Sequence, residues 1–282
     1  MLPQTNFKNQ VNAAGGLVFL VVGGYLAWDA TRSQEVAPCS ARLGVPTQMS
    51  FQKADGSVLS PAEFQARVGI SERGLIEKTS IKRVVGDKPL VLDIALGGPS
   101  ADDTGAGFSW SLPGVSKARS ACLSYHVFVP ADFAYADGGT LPSLFGQANG
   151  PAGDGVPTGV VAGLTWSDQG QVNLNVRYTG LPSPVEAYRP VRWPANATLP
   201  LGRWVRIEQE AVLNTPSLPD GIARVWIDGR LALENSGIVW RGFAGVQWAG
   251  TLADVSYVPP LHTTTRKHTV LQLTPPQMSW QN

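Results

Sequence analysis

The sequence predicts an all-β domain, a jelly-roll β-sandwich, preceded by one N-terminal transmembrane α-helix. Three observations carry this. Residues 11–28 read VNAAGGLVFLVVGGYLAW and contain no charge. At least nine short runs of strand character follow Pro89, separated by turn residues, with no long helical period among them. Glycine (31), proline (22) and tryptophan (9) are abundant, which suits many turns around a core filled with large aromatics.

The chain is taken as five segments. Residues 1–10 form a cytoplasmic arm containing Lys8. Residues 11–28 form the membrane helix, which at about 1.5 Å per residue spans roughly 27 Å, close to the hydrocarbon thickness. Tyr25 and Trp28 fall where an interfacial aromatic belt belongs. Gly15, Gly16, Gly23 and Gly24 would let another helix approach closely. A cleaved signal peptide is the competing reading. It is disfavoured because the apolar run passes through Trp28 into Asp29 without a small-x-small cleavage site. The expected placement is single-pass, N-terminus in the cytoplasm, main domain periplasmic or extracellular.

Residues 29–88 form a connector with one short helix. Ser60 can cap it, Pro61 suits its first position, and Glu63 can reach back in a capping box, with the helix running to about Val68. Residues 89–274 form the β-domain. Its expected strands are 89–96, 121–129, 159–166, 171–178, 204–213, 222–227, 230–233, 246–249, 254–258 and 268–273. In the second of these, Leu123, Tyr125, Val127 and Val129 share one face, and Ser124, His126 and Phe128 the other. Asp228-Gly229 is a hairpin signal, because both turn positions need positive φ. Residues 181–200, rich in proline, read as an extended docking loop. Residues 275–282 read as a tail carrying Trp280.

Charge excludes one class of partner. Lys+Arg (22) nearly cancels Asp+Glu (21), so nucleic acid has no electrostatic footprint here. Cys39 and Cys122 can pair in an oxidising compartment or remain two unrelated buried thiols; spacing leaves both open. His126, His262 and His268 have no metal-ligand spacing, so neither a metal nor a cofactor is expected. Trp204 and Trp226, inside strand motifs, read as core; Trp193 and Trp240 read as surface-contact residues.

Several blocks resemble the family 14 polysaccharide lyases, which include alginate lyases. Residues 122–133 (CLSYHVFVPADF) resemble that family's strand followed by F-D-F. Residues 137–146 (DGGTLPSLFG) resemble its K-G-G-K-L-P-G-L-Y-G loop. Residues 203–209 (RWVRIEQ), 214–216 (NTP) and 220–229 (DGIARVWIDG) resemble its later strands in the same order. The resemblance covers about Pro89 to Tyr257 and implies a β-jelly roll.

The family's chemistry is β-elimination on uronic-acid polymers. It needs a cation at the carboxylate, a base for the adjacent C–H and an acid for the leaving oxygen. The family draws these from a loop lysine, a Ser-x-Arg pair and a Tyr-x-Tyr pair. On the matching positions this sequence has Thr140, then Val161 and Gly163, then Asn173 and Asn175, or Asn175 and Arg177 in the ungapped register. Losing such groups costs a transition state several kcal/mol each. No catalytic residue is therefore expected. Thr140, Asn173, Asn175 and Arg177 become candidate groove residues, and Tyr25, Trp28, Trp193, Trp240 and Trp280 candidate docking residues.

The function expected from this combination is a non-catalytic, membrane-anchored accessory subunit. Its partners would be the lipid bilayer and other membrane protein subunits, with bacterial energy-converting complexes, photosynthetic ones included, as one class of host. The competing expectations are a binder of uronic-acid polysaccharide and an active lyase with a relocated site.

Overall fold

The computed structural model describes residues 36–68, 72–84, 90–97, 104–148, 159–179, 191–242, 244–258 and 269–282. The membrane segment 11–28, with Tyr25 and Trp28, lies outside the described residues. Among the described residues no helix is long and apolar enough to cross a membrane.

The chain forms an all-β sandwich. Its strands are β1 (Thr47–Gln48), β2 (Glu72–Arg73), β3 (Thr79–Lys82), β4 (Val91–Leu96), β5 (Gly105–Ser111), β6 (Ser120–Val129), β7 (Gly139–Ala148) and β8 (Gly159–Trp166). They continue as β9 (Gln171–Thr179), β10 (Val191–Thr198), β11 (Arg203–Val212), β12 (Gly221–Ile227), β13 (Arg230–Ile238), β14 (Val246–Tyr257), β15 (Thr269–Leu273) and β16 (Gln277–Gln281). Three short helices are α1 (Cys39–Arg42), α2 (Pro61–Val68) and α3 (Leu75–Lys78).

One sheet runs β13-β12-β11-β6-β15-β4-β3, with β16 paired to β6 and to β1. The other runs β10-β9-β8-β7-β14-β5-β2. Every described pairing is antiparallel. The core lies between the sheets. Leu123, Tyr125, Val127 and Val129 of β6 enter it from one side, and Val160, Ala162, Leu164 and Trp166 of β8 from the other. This is the alternation expected from period-2 strands.

Local signals translate directly. Asp228 (φ 51°) and Gly229 (φ 79°) make the β12–β13 turn, with both residues left-handed. At α2, Glu63 N–H donates to Ser60 Oγ (3.3 Å) while Ser60 N–H donates to Glu63 Oε2 (2.9 Å). Lys53 Nζ sits 2.7 Å from the same carboxylate. The Lys53 bond, then the Ser60 bonds, lower the Glu63 pKa to about 2. A depressed carboxylate stabilises the fold above its unfolded pKa, and that contribution fades as pH falls toward the folded value. We expect the 53–68 region to loosen selectively between about pH 4.5 and 2. Amide exchange at Ser60–Phe64 checks this, and unchanged protection at pH 2.5 would count against it.

Four expectations need correction. Residues 191–198 are a strand, not part of a loop. Pro194 is tolerated because β10 is the edge of its sheet, where a missing N–H costs no ladder bond. Residues 277–281 are a strand docked on β6, not a free tail. Segments 246–249 and 254–258 are one strand with a register shift between Trp248 and Gly250. There Gly250 is required, since a Cβ would lie 2.0 Å from the Trp110 carbonyl oxygen. The 137–146 run, whose family counterpart is a loop, becomes β7 from Gly139 onward.

Cys39 and Cys122 are joined in a disulfide that fixes α1 to the outer face of the β6 sheet. The surrounding polar groups reinforce it. Ser40 N–H donates to Glu208 Oε2 (3.0 Å). Arg42 Nη2 lies 2.6 Å and Arg224 Nη1 2.9 Å from Glu210 Oε2. Glu208 and Glu210 are both buried, and each has cationic or N–H partners. The Arg42 guanidinium stacks 5.7 Å from the Trp226 ring centroid.

Candidate functional site

The outer face of the β10–β2 sheet collects polar side chains from neighbouring strands. Ladder register places them in rows. Ser256, Thr140, Thr165 and Asn173 lie opposite one another across β14, β7, β8 and β9. Gly163, Asn175 and Arg192 form the adjacent row across β8, β9 and β10. Arg177 follows two residues beyond Asn175, opposite Val161. The structure therefore brings Thr140, Asn173, Asn175 and Arg177 to one face. Leu174 and Val176 between them turn into the core, as period 2 demands.

Hydrogen bonds order this floor. Thr140 Oγ1 is 3.2 Å from Asp254 Oδ2 and 2.9 Å from Ser256 Oγ. Asp254 is clamped by Arg73, whose Nη2 donates to Oδ1 at 2.6 Å and whose Nη1 donates to Thr104 Oγ1 at 3.1 Å. Gly107 makes room for the clamp, because a Cβ there would meet Asp254 Oδ1 at 2.7 Å. Asn175 Nδ2 donates to Thr165 Oγ1 at 2.7 Å. Asn173, 2% exposed, donates to the Gln171 carbonyl at 2.8 Å. The Arg177 side chain lies across Gly163, where a Cβ would be 3.7 Å from Arg177 Nε. A guanidinium from β9 thus occupies space over the position where the family resemblance puts an arginine on β8. At the sheet's end a depression of ≈ 310 Å³ is bordered by Asp137, Thr165, Asp168, Asn175 and Arg192.

Chemically, this surface can bond hydroxyls through Asn and Thr and attract a carboxylate through Arg177 and Arg192. The seven strands contain no lysine and no histidine. Their two tyrosines point the other way: Tyr178 donates to the Val239 carbonyl (2.6 Å) and Tyr257 to the Ala134 carbonyl (3.0 Å). Tyr178 therefore does not join Arg177 on the groove face.

His126 is on the opposite sheet, facing outward beside Arg206. Cys39, Cys122 and Glu208 converge, but the sulfurs are bonded to each other and offer no thiolate to a metal.

Sequence reading missed Arg73, Thr165, Arg192, Asp254 and Ser256. Arg73 and Asp254 are 181 residues apart, and no local pattern links them. Among the docking candidates, Trp240 is corrected: it is fully buried, 5.7 Å from Trp248 in an edge-to-face pair. The Arg beside it gave a false surface signal, because Arg241 turns back to donate to the Asn214 and Val246 carbonyls. Trp193 is half-buried against the core from edge strand β10, and Trp280 is partly buried over Gly114. Trp204, expected in the core, instead packs on Phe128 on the outer face, ring centroids 5.6 Å apart.

Polysaccharide lyases are among the solved structures that share this fold. A marine PL-14 alginate lyase from Aplysia kurodai superposes with a TM-score of 0.60 at 17% identity, covering 78% of this chain and 94% of that one. An alginate lyase from Chlorella virus gives 0.58 at 17% identity, covering 83% and 100%. The fold is polysaccharide-lyase-like. An endo-β-1,4-glucuronan lyase from Trichoderma reesei, at 0.52 and 14% identity with 76% and 90% covered, agrees. No protein-family model and no curated protein matches the sequence. At these identities the likeness establishes the lyase-like sandwich and leaves chemistry to the residues themselves.

Proposed function

We propose that this chain is a non-catalytic, membrane-anchored accessory subunit whose lyase-like jelly-roll domain docks on a larger membrane assembly. The observation that carries the non-catalytic reading is the groove face itself. Its strands supply no lysine and no histidine, and their tyrosine hydroxyls are spent on inward carbonyls. The Asp254 carboxylate is tied to Arg73 and Thr140, and amides, hydroxyls and guanidinium groups bind but do not exchange protons near neutral pH. The uncharged 11–28 segment supports the anchor. The Cys39–Cys122 bond supports an oxidising compartment, and so a domain on the periplasmic or extracellular side.

Native membranes dissolved in mild detergent test this. The chain is expected to elute in stoichiometric association with other membrane subunits; elution as a lone monomer overturns the proposal. Incubating the purified chain with alginate or glucuronan is expected to give no sustained rise in unsaturated-product absorbance. Steady turnover would restore the reading of an active lyase with a relocated site.

A second reading, binding of uronic-acid polymer without cleavage, is favoured by Arg177 and Arg192 flanking Asn175 on an otherwise hydroxyl-bonding floor. A charge-assisted hydrogen bond contributes about 1.5–3 kcal/mol. Arg177→Gln should then weaken polymer binding about tenfold or more in calorimetry. Absence of binding to the unmutated chain at millimolar sugar would dismiss this reading.

A further inference from the structure

A cleft of ≈ 540 Å³ lies outside the lyase-like groove. It opens on the outer face of the other sheet, between residues 48–52 and strands β6, β11 and β16. We propose that this cleft is a second binding site, for a hydroxylated carboxylate such as a sugar acid. The proposal is independent of the function assigned to the groove.

Cross-strand register builds the site. Gln48, Gln277 and Ser124 lie side by side on β1, β16 and β6, and His126 and Arg206 lie opposite each other on β6 and β11. All five line the cleft. Arg206 is held before any ligand arrives: its Nη2 donates to Ser40 Oγ at 2.8 Å, and its Nε lies 2.8 Å from Glu208 Oε1 as an ion pair without hydrogen-bond alignment. Its Nη1 has no partner among the described residues. Ser124 is only 4% exposed, yet its hydroxyl makes no hydrogen bond among the described residues. The Gln48 and Gln277 carboxamides are likewise uncommitted there. The Ser124 hydroxyl and the two carboxamides thus border the cleft with no internal bond to give up, and their hydrogen-bonding capacity is available to a ligand.

The lining selects the ligand's chemistry. No acidic side chain lines the cleft. The nearby Glu208 carboxylate is already engaged by Arg206 and by the Ser40 N–H. An anchored guanidinium with a free N–H₂ edge suits a carboxylate. Carboxamides donate and accept at once, as vicinal hydroxyls do. The volume falls within the ~300–1,000 Å³ of small-ligand sites.

The test is calorimetric titration of the full-length chain in detergent with D-glucuronate, with D-glucose and acetate as controls. Glucuronate is expected to bind at least tenfold more tightly than either control. Ser124→Val and Arg206→Gln should each weaken it at least tenfold, while Lys117→Gln, an exposed charge change outside both the cleft and the groove, leaves it unchanged. Arg206→Gln strands Glu208 and can impair folding. Ser124→Val removes a hydroxyl with no internal partner, should keep the melting temperature, and decides the matter alone. The proposal is overturned if glucuronate does not bind, if glucose binds equally, or if Ser124→Val binds as before. It is also overturned if the affinity is lost in Lys117→Gln as well.

Discussion

Replacing Cys39 and Cys122 together by serine is expected to lower the unfolding free energy by about 4.5 kcal/mol. The bridged residues are 83 apart in sequence. Closing a loop of that length removes roughly 15 cal/mol/K from the unfolded ensemble in the chain-entropy account. The native side adds to this. The bond holds α1 over Glu208, Glu210 and Trp226, all buried on the outer face of the large sheet. Without it, Arg42 and the Ser40 N–H can leave two buried carboxylates with fewer partners. The melting temperature should fall by about 9–18 °C for a domain of this size. Thermal unfolding with and without reductant, and of the double serine variant, measures this. Coincident melting curves would show that the bond does not form in the protein.

Trp240→Ala is expected to cost about 3–5 kcal/mol, the range for emptying a buried tryptophan site. Trp240 is fully buried, packs edge-to-face on Trp248 and lies against Gly221, where a Cβ would come within 2.6 Å of its ring. Trp193→Ala should cost distinctly less, because Trp193 is half-buried on an edge strand. The indole nitrogens of Trp240 and Trp248 are buried without hydrogen-bond partners among the described residues. An unsatisfied buried donor costs about 1–3 kcal/mol. Trp240→Phe removes one such donor while keeping an aromatic ring, so it should retain much of the stability that alanine loses. Urea denaturation of the three variants ranks them. A fully stable Trp240→Ala chain that loses its membrane partners would return Trp240 to the docking role its sequence context suggested.

The parts of the site that could be read in the sequence were those set by short-range periodicity. Once Asn173, Asn175 and Arg177 are assigned to one strand, they must share a face. Thr140 could be placed with them only through the lyase-like resemblance, since β7 and β9 are joined in space by β8 and not by any local rule. Arg73 and Asp254 had no such guide. Each is an ordinary charged residue until β2 and β14 pair on either side of β5.

By itself the sequence determined the features whose energetics close within a few residues. These are the alternation on β6, the left-handed Asp228-Gly229 turn and the reciprocal Ser60–Glu63 cap. It also fixed the charge balance that leaves nucleic acid without a footprint. Tertiary structure alone decided that Cys39 meets Cys122, that Trp240 is core and Trp204 surface, and that residues 277–281 complete the large sheet. It alone assembled the Gln48–Gln277–Ser124 row beside Arg206. The division has one physical cause. Turns and caps are stabilised by backbone and side-chain bonds within one segment, whereas burial and cross-strand neighbours depend on chain closures as long as that from Thr47 to Met278, for which no residue carries a local mark.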